Sequence, residues 1–341
     1  MKILCVSSPH GYTTRDVWMR IMKGLRLNGV DVVPYDLTTR WQVYETLFQK
    51  AGRKITDNLP DGFAPSLLAY EPITGAAIYH DVDAVLVVSP QYMPIPIVDI
   101  LRRAGKATIG VFTEAPYEDT LHAPIQAAHF DFVFVNDKYS VTLYQSFNER
   151  TFYLPHSYDP DIHFDDDQAR ADNVVFIGTG YKTRVDFLNS VDWEGTGLEL
   201  YGIWWMNKRH RLHRYLRGEL VENEETAALY RRAGVGISAH RTMRYVNYDW
   251  QIDPGEAYSV GPRTYELAAC GLFQVSDYRP ELIDIFGDTV PVFESARDLR
   301  RIVQRAIDDP VWRQEMAKKQ HEAVQGHTSA ARMSTLLEKV A

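Results

Sequence analysis

Short β-rich runs alternate with helical stretches through the first half of this chain, stop at a polar segment, and then resume. Strand candidates in the first half are residues 2–7, 30–36, 84–89, 107–113, 131–136 and 151–154. Between the first two, Val17, Ile21 and Leu25 recur at helical spacing, and 41–80 reads as further helix. The interruption, PHSYDPDIHFDDDQARAD at 155–172, is acidic and proline-containing, as suits an interdomain linker. Strand candidates return at 173–178, 198–202, 235–239, 272–276 and 290–293, and from Val311 the chain reads as helix alone. Such alternation is the pattern of α/β domains with parallel sheets. The expected architecture is therefore two Rossmann-like domains facing a cleft, at 1–157 and 172–310, followed by a helical tail at 311–341. Ligands of such sheets bind at the carboxyl ends of the strands.

A length of 341 residues agrees with two domains of roughly 150 each. Apolar runs such as DAVLVVS and FDFVFV have strand length, well short of the roughly 20 residues of a membrane span. The opening run ILCVSS reaches Pro9-His10-Gly11 too soon for a secretory signal, so a cytoplasmic protein without a membrane span is expected. Cys5 and Cys270 both lie in apolar segments, which argues against a disulfide framework or a cysteine zinc site. A net charge of −8 gives no general attraction for nucleic acid.

Several cofactor classes are disfavoured by motif. After the first strand candidate only Gly11 is present, and FIGTGYKTR at 176–184 has Gly178 and Gly180 but Thr183 in the third glycine's place. No Walker-type lysine motif occurs, so NAD, FAD and P-loop chemistry are not expected. FIGTGYKTR still permits close approach of backbone to ligand, with Lys182 and Arg184 to neutralise phosphate at a helix start. It fits equally an ordinary strand–helix turn with surface charges. KRHRLHRYLR at 208–217 concentrates positive charge for phosphates or DNA, or forms a solvated helix face. The Asp-x-Asp pairs at 81–83 and 159–161 do not follow strand ends, and His210 with His213 lacks a carboxylate motif, so no metal is expected.

The segment SVGPRTYELAACG, 259–271, places Gly261 and Pro262 at a helix start and Glu266 about one turn in. A carboxylate there can accept two ribose hydroxyls, or it can be a solvated side chain favoured by the helix dipole. In the first half His10, Glu114 and the junction residue His156 stand near strand ends, where function concentrates.

Together TEAPYED, YLPHSYDPDIH, NVVFIGTGYKTRVDFL, VGISAHRT, SVGPRTYELAACGLFQVSDYRPELIDIFGD and AVQGHTSAARMSTLLE resemble, in order and spacing, the CgeB-like glycosyltransferases. The resemblance runs from about Ala107 to the end and is strongest at 259–288. It implies a GT-B fold, with an N-terminal acceptor domain, a C-terminal nucleotide-sugar domain, and final helices that cross back onto the first domain. It implies transfer of a sugar from a nucleotide-diphosphate sugar, a UDP-sugar foremost, to an acceptor hydroxyl, with no cofactor and no metal. Glu266 would hold the donor ribose. Gly178, Gly180, Lys182, Arg184, Arg241, Gly261 and Arg263 would complete the donor site. Where the broader retaining pattern has a second glutamate near the sugar, this chain has Tyr258, with Glu256 two residues earlier. His10 and then Glu114 are the candidate bases, with Gly11, Tyr117 and His156 as acceptor contacts. A narrower expectation takes DNA with hydroxymethylated bases as acceptor, as for phage relatives; a glycan, small molecule or protein would serve too. The alternatives are a non-catalytic sugar-nucleotide or glycan-binding module and an NDP-sugar epimerase.

Overall fold

The computed structural model describes residues 1–9, 11–54, 67–90, 93–117, 123–204, 206, 208–219, 222–242, 244–247, 250–252 and 255–340. The chain forms two compact units, Met1–Pro155 with Pro254–Ala257 and Ser329–Ala341, and His156–Asp253 with Tyr258–Thr328.

The first unit runs β1 (Lys2–Val6), α1 (Gly11–Leu27), β2 (Asp31–Tyr35), α2 (Leu37–Lys50), α3 (Leu67–Tyr70), α4 (Pro72–Tyr79), β3 (Ala84–Val88), α5 (Ile95–Arg103), β4 (Ala107–Phe112), α6 (Ala123–Ala127), β5 (Phe132–Val135), α7 (Val141–Gln145) and β6 (Thr151–Tyr153). Its strands form one parallel sheet in the order β2-β1-β3-β4-β5-β6. Alternate residues serve opposite faces: Leu4, Val6, Val85 and Val87 enter one core, Ile3, Cys5, Leu86 and Val88 the other. This is why β3, AVLVV, is apolar throughout rather than alternating.

The second unit runs β7 (Val174–Ile177), α8 (Lys182–Ser190), β8 (Leu198–Tyr201), a 3-10 turn (Arg211–Tyr215), β9 (Leu216–Gly218), α9 (Asn223–Arg232), β10 (Val235–Ser238), β11 (Arg244–Asn247), β12 (Trp250–Ile252), α10 (Pro262–Ala269), β13 (Gln274–Ser276), α11 (Pro280–Phe286), α12 (Ala296–Asp308) and α13 (Pro310–Val324). Its parallel sheet has the order β13-β10-β7-β8-β9, with β11 and β12 as a separate antiparallel pair. The last helix, α14 (Ser329–Val340), belongs to the first unit.

The structure corrects three expectations. Residues 156–172 are not a linker: Tyr158, Asp159 and His163 are buried in the second unit. Their acidic character serves pairing, Asp165 with Arg170 and Asp166 with Arg231. Arg170 also donates to the carbonyls of Tyr230, Arg231 and Cys270, satisfying the ends of α9 and α10. The tail divides: α13 packs on α10, α11 and α12, and only α14 joins the first unit, against α1. Gly24 makes that contact possible, since a Cβ there would come 2.7 Å from Met333 Cγ. Finally, 290–293 forms a single bridge, Ser276 to Val292, rather than a strand, whereas β9 and the β11–β12 pair were not anticipated.

Candidate donor site at the carboxyl edge of the second sheet

From β7 the second unit's sheet grows one way through β8 and β9 and the other way through β10 and β13. The carboxyl ends of β7 and β10 therefore flank a topological switch point, the place where open α/β sheets bind ligands. Three contacts join the loops that follow these two strands. Arg184 donates to Thr179 O at 2.5 Å and to Ala239 O at 2.7 Å. Thr242 Oγ1 donates to Thr183 Oγ1 at 3.3 Å, and the Arg241 guanidinium lies 5.2 Å from the Tyr181 ring centre. Arg184 is thus buried and ties the two loops together, 5.3 Å from the same Tyr181 ring centre.

The glycines of FIGTGYKTR are required by close contact. A Cβ at Gly178 would overlap Arg263 Nη2, and one at Gly180 would come 2.7 Å from Trp204 Cδ2. The loop hangs on the next one by hydrogen bonds from Gly178 N to Tyr201 O and from Gly180 N to Ile203 O. Packing within the second unit therefore fixes both glycines.

Helix α10 begins as expected, with Gly261 extended and Pro262 in its first turn. Arg263 reaches back over the Phe176 ring at 4.7 Å, and Arg184 lies 5.1 Å from the same ring. Two guanidinium groups on one buried ring, beside a helix start, build positive potential suited to an anion. Arg263 also hydrogen-bonds the Tyr230 hydroxyl of α9; burial pushes that hydroxyl's pKa up, with Arg263 opposing and Glu266 reinforcing the rise. Glu266 is 7% exposed, which rules out a solvated helix face.

The approach to α10 is held by Glu281, whose carboxylate accepts from Val260 N at 2.7 Å and from the Tyr265 hydroxyl at 2.9 Å. Tyr258, where the retaining pattern has a glutamate, is buried and donates its hydroxyl to Asp284 of α11. Tyr258→Phe is accordingly expected to cost about 1.5–3 kcal/mol of stability, the scale of one hydrogen bond to a charged group. Urea denaturation checks this, and an unchanged midpoint would show that the bond contributes nothing to the fold.

Lys182 pairs with Asp186 at 2.6 Å on the exposed side of α8 rather than at the loop. The basic run is a 3-10 turn leading into the edge strand β9, not a helix face. Arg211 spends its guanidinium on the Asn189 and Val191 carbonyls, while Lys208, Arg209, Arg214 and Arg217 are exposed.

In the first unit, Gly11 opens α1 and His10 lies outside the described residues. Glu114 and Tyr117 form a half-buried turn after β4, Tyr117 N donating to Glu114 O at 2.8 Å. The Asn136 side chain fixes that turn through both the N–H and the carbonyl of Ala115. Next to it, Ser89 adopts φ +53 and its hydroxyl sits 2.5 Å from Thr113 Oγ1, a strained residue of the kind that gathers at functional edges. His156, half-buried, begins the second unit. The structure therefore gathers Gly178, Gly180, Arg184, Arg241 and Gly261 around the switch point with α10, which carries Arg263 and Glu266, and assigns Gly11, Glu114 and Tyr117 to the other unit.

Sequence reasoning missed Tyr230, His240, Asp277 and Glu281. His240 and Asp277 each directly follow a strand candidate, which was the available signal; nothing in the sequence marked Tyr230 or Glu281.

A family model described as glycosyl transferase-like matches residues 184–338. No curated protein sequence matches the chain. Among solved structures it is similar to a sucrose-phosphate synthase from Thermosynechococcus elongatus, at 13% identity and TM-score 0.66, covering 100% of this chain and 99% of that one. An α-glucosyltransferase in complex with UDP and a 13-mer DNA containing a HMU base gives the same identity, score and coverage. A putative UDP-N-acetylglucosamine 2-epimerase from Listeria monocytogenes follows at 11% identity and TM-score 0.60, covering 99% and 95%. With two parallel-sheet α/β units and likeness to these proteins over the full chain, the protein has the GT-B fold.

Proposed function

We propose that this protein transfers a hexose from a UDP-sugar to an acceptor hydroxyl without a divalent metal. The observation that carries the reading is Arg263, stacked on Phe176 and pressed to Gly178 at the switch point, with Glu266 one turn further along α10. The leaving diphosphate gains negative charge as the glycosidic bond breaks, and Arg263, Arg184 and the start of α10 supply the compensation otherwise expected of a metal. Glu266 accepts the ribose hydroxyls. If transfer inverts the sugar, a base in the first unit takes the acceptor proton, with His10 first choice and Glu114 second. If it retains, those residues orient the acceptor. Support comes from the glycosyl transferase-like match and from a UDP-bound solved structure of the same fold.

For the acceptor we put forward DNA carrying hydroxymethylated bases, supported by the exposed Lys208, Arg209, Arg214 and Arg217 and by the DNA-bound structural neighbour. An epimerase is the second reading, favoured by the 2-epimerase likeness. Calorimetry with UDP-glucose and UDP-N-acetylglucosamine, with EDTA present, tests the donor. Glu266→Ala is expected to weaken binding about 10- to 100-fold, the loss of hydrogen bonds to a charged group. No binding of either donor, or unaltered binding by Glu266→Ala, would count against the reading. UDP release that depends on hydroxymethylated DNA supports transfer to DNA; epimerised sugar without an acceptor supports the second reading.

A further inference from the structure

His240 follows β10 and Asp277 follows the neighbouring strand β13, so the sheet sets side by side two residues far apart in sequence. His240 Nδ1 lies 2.7 Å from Asp277 Oδ1, and the His240 main-chain N–H donates to the same oxygen at 2.9 Å. A carboxylate can only accept, so Nδ1 carries the proton and Nε2 is left as the nitrogen that can gain one. Nε2 lies 3.4 Å from Thr264 Oγ1 in the first turn of α10, and that hydroxyl is 2.7 Å from Ser238 Oγ. The other side of the ring meets Gly261, where a Cβ would be 3.8 Å from His240 Cδ2. The imidazole, 7% exposed, is thus clamped between a carboxylate and the helix start of the candidate donor site.

The groups around it set its charge. Burial favours the neutral ring, Asp277 opposes this, and Arg279 before α11 and Arg263 on α10 add to the burial, leaving the pKa below the ordinary histidine value. Burial also works against the Asp277 charge, but His240 and Arg279 outweigh it and hold that carboxyl below its usual range. Burial and the two arginines therefore favour the neutral imidazole over the charged one, a balance that an arriving anion would oppose.

On the reading of this site as the seat of a UDP-sugar, we propose that His240 is a proton-coupled positioning residue: neutral in the free protein, it takes a proton from solvent onto Nε2 when the diphosphate binds. The resulting imidazolium, steadied by Asp277, adds one positive charge beside the leaving group and is lost again when the nucleotide departs. No covalent bond changes. Proton uptake also means that affinity for the donor falls as pH rises through the range in which the complex loses this proton.

Calorimetry of the full-length protein with UDP-glucose near neutral pH, in buffers of different ionisation enthalpy, tests this. The diphosphate of UDP-glucose has no group titrating there, so the buffer dependence counts protons taken by the protein. Wild type is expected to take up about 0.3–1 proton, the span open to a histidine moved across neutrality, and His240→Gln close to none. Asp277→Asn, which keeps the shape of the side chain, is expected to reduce the uptake as well. The His240 ring resonances in wild type provide a reading independent of any variant's folding, and their titration midpoint is expected to rise on adding UDP-glucose. Binding without proton uptake, or uptake unchanged in His240→Gln, overturns this role and leaves the UDP-sugar reading standing. Failure of UDP-glucose to bind wild type overturns both.

Discussion

Replacing Arg263 by alanine is expected to lower kcat/KM for a UDP-sugar by about 10²–10³-fold, the range found when one preorganised donor to developing charge is removed. The side chain combines three placements: over Phe176, against Gly178, and bonded to Tyr230. Arg184 shares the ring but gives both terminal nitrogens to carbonyls, so it is not placed to replace the lost donor. Lysine is expected to restore little, because its ammonium cannot stack on the ring and donate in two directions as a guanidinium does. Steady-state kinetics with UDP-glucose, alongside a melting curve to confirm folding, give the result. A folded Arg263→Ala protein within about threefold of wild type would remove the diphosphate role, since such a change falls below a hydrogen bond to a charged group.

Gly202→Ala is expected to cost about 3 kcal/mol of stability, from overpacking together with an unfavourable backbone conformation. Gly202 has φ +111, and an added Cβ would overlap Gly178 O and sit 2.8 Å from the carbonyl carbon. Both obstacles are backbone, so no side-chain rotation relieves them. Gly178 cannot yield either, since its N–H bonds Tyr201 O and its other side meets Arg263. Gly105→Ala is the control: its φ is +74 but nothing lies within 4 Å of the added atom, and the cost is expected near 1 kcal/mol. Urea denaturation of the two variants measures the difference. Equal losses would show that the contact with Gly178 contributes nothing beyond the dihedral.

Strand segments were legible because parallel strands buried on both faces are continuous apolar runs, as AVLVV at 84–88 illustrates. The loop after β7 and the start of α10 were legible for a related reason. Gly178, Gly180 and Gly261-Pro262 carry backbone requirements that few other residues meet, and such requirements appear in the sequence directly. Segment 156–172 was misread because its acidic residues look solvated in one dimension; in space they pair with Arg170 and Arg231. Helix α13 was assigned to the wrong partner for a similar reason. An amphipathic helix announces that one face is covered, but not by what.

By itself the sequence determined two parallel α/β halves, the loop after β7 and the start of α10, because periodicity, glycine and proline act locally. Only tertiary structure decided the rest. Strand order set β7 beside β10 and β10 beside β13, and with that brought His240 to Asp277 and Arg184 to Ala239 O. Packing of α9 against α10 placed Tyr230 on Arg263. Glu266 turned from a residue with two readings into a buried carboxylate by the same packing. Strand adjacency and helix contacts join residues tens of positions apart, and neither periodicity nor spacing carries that information.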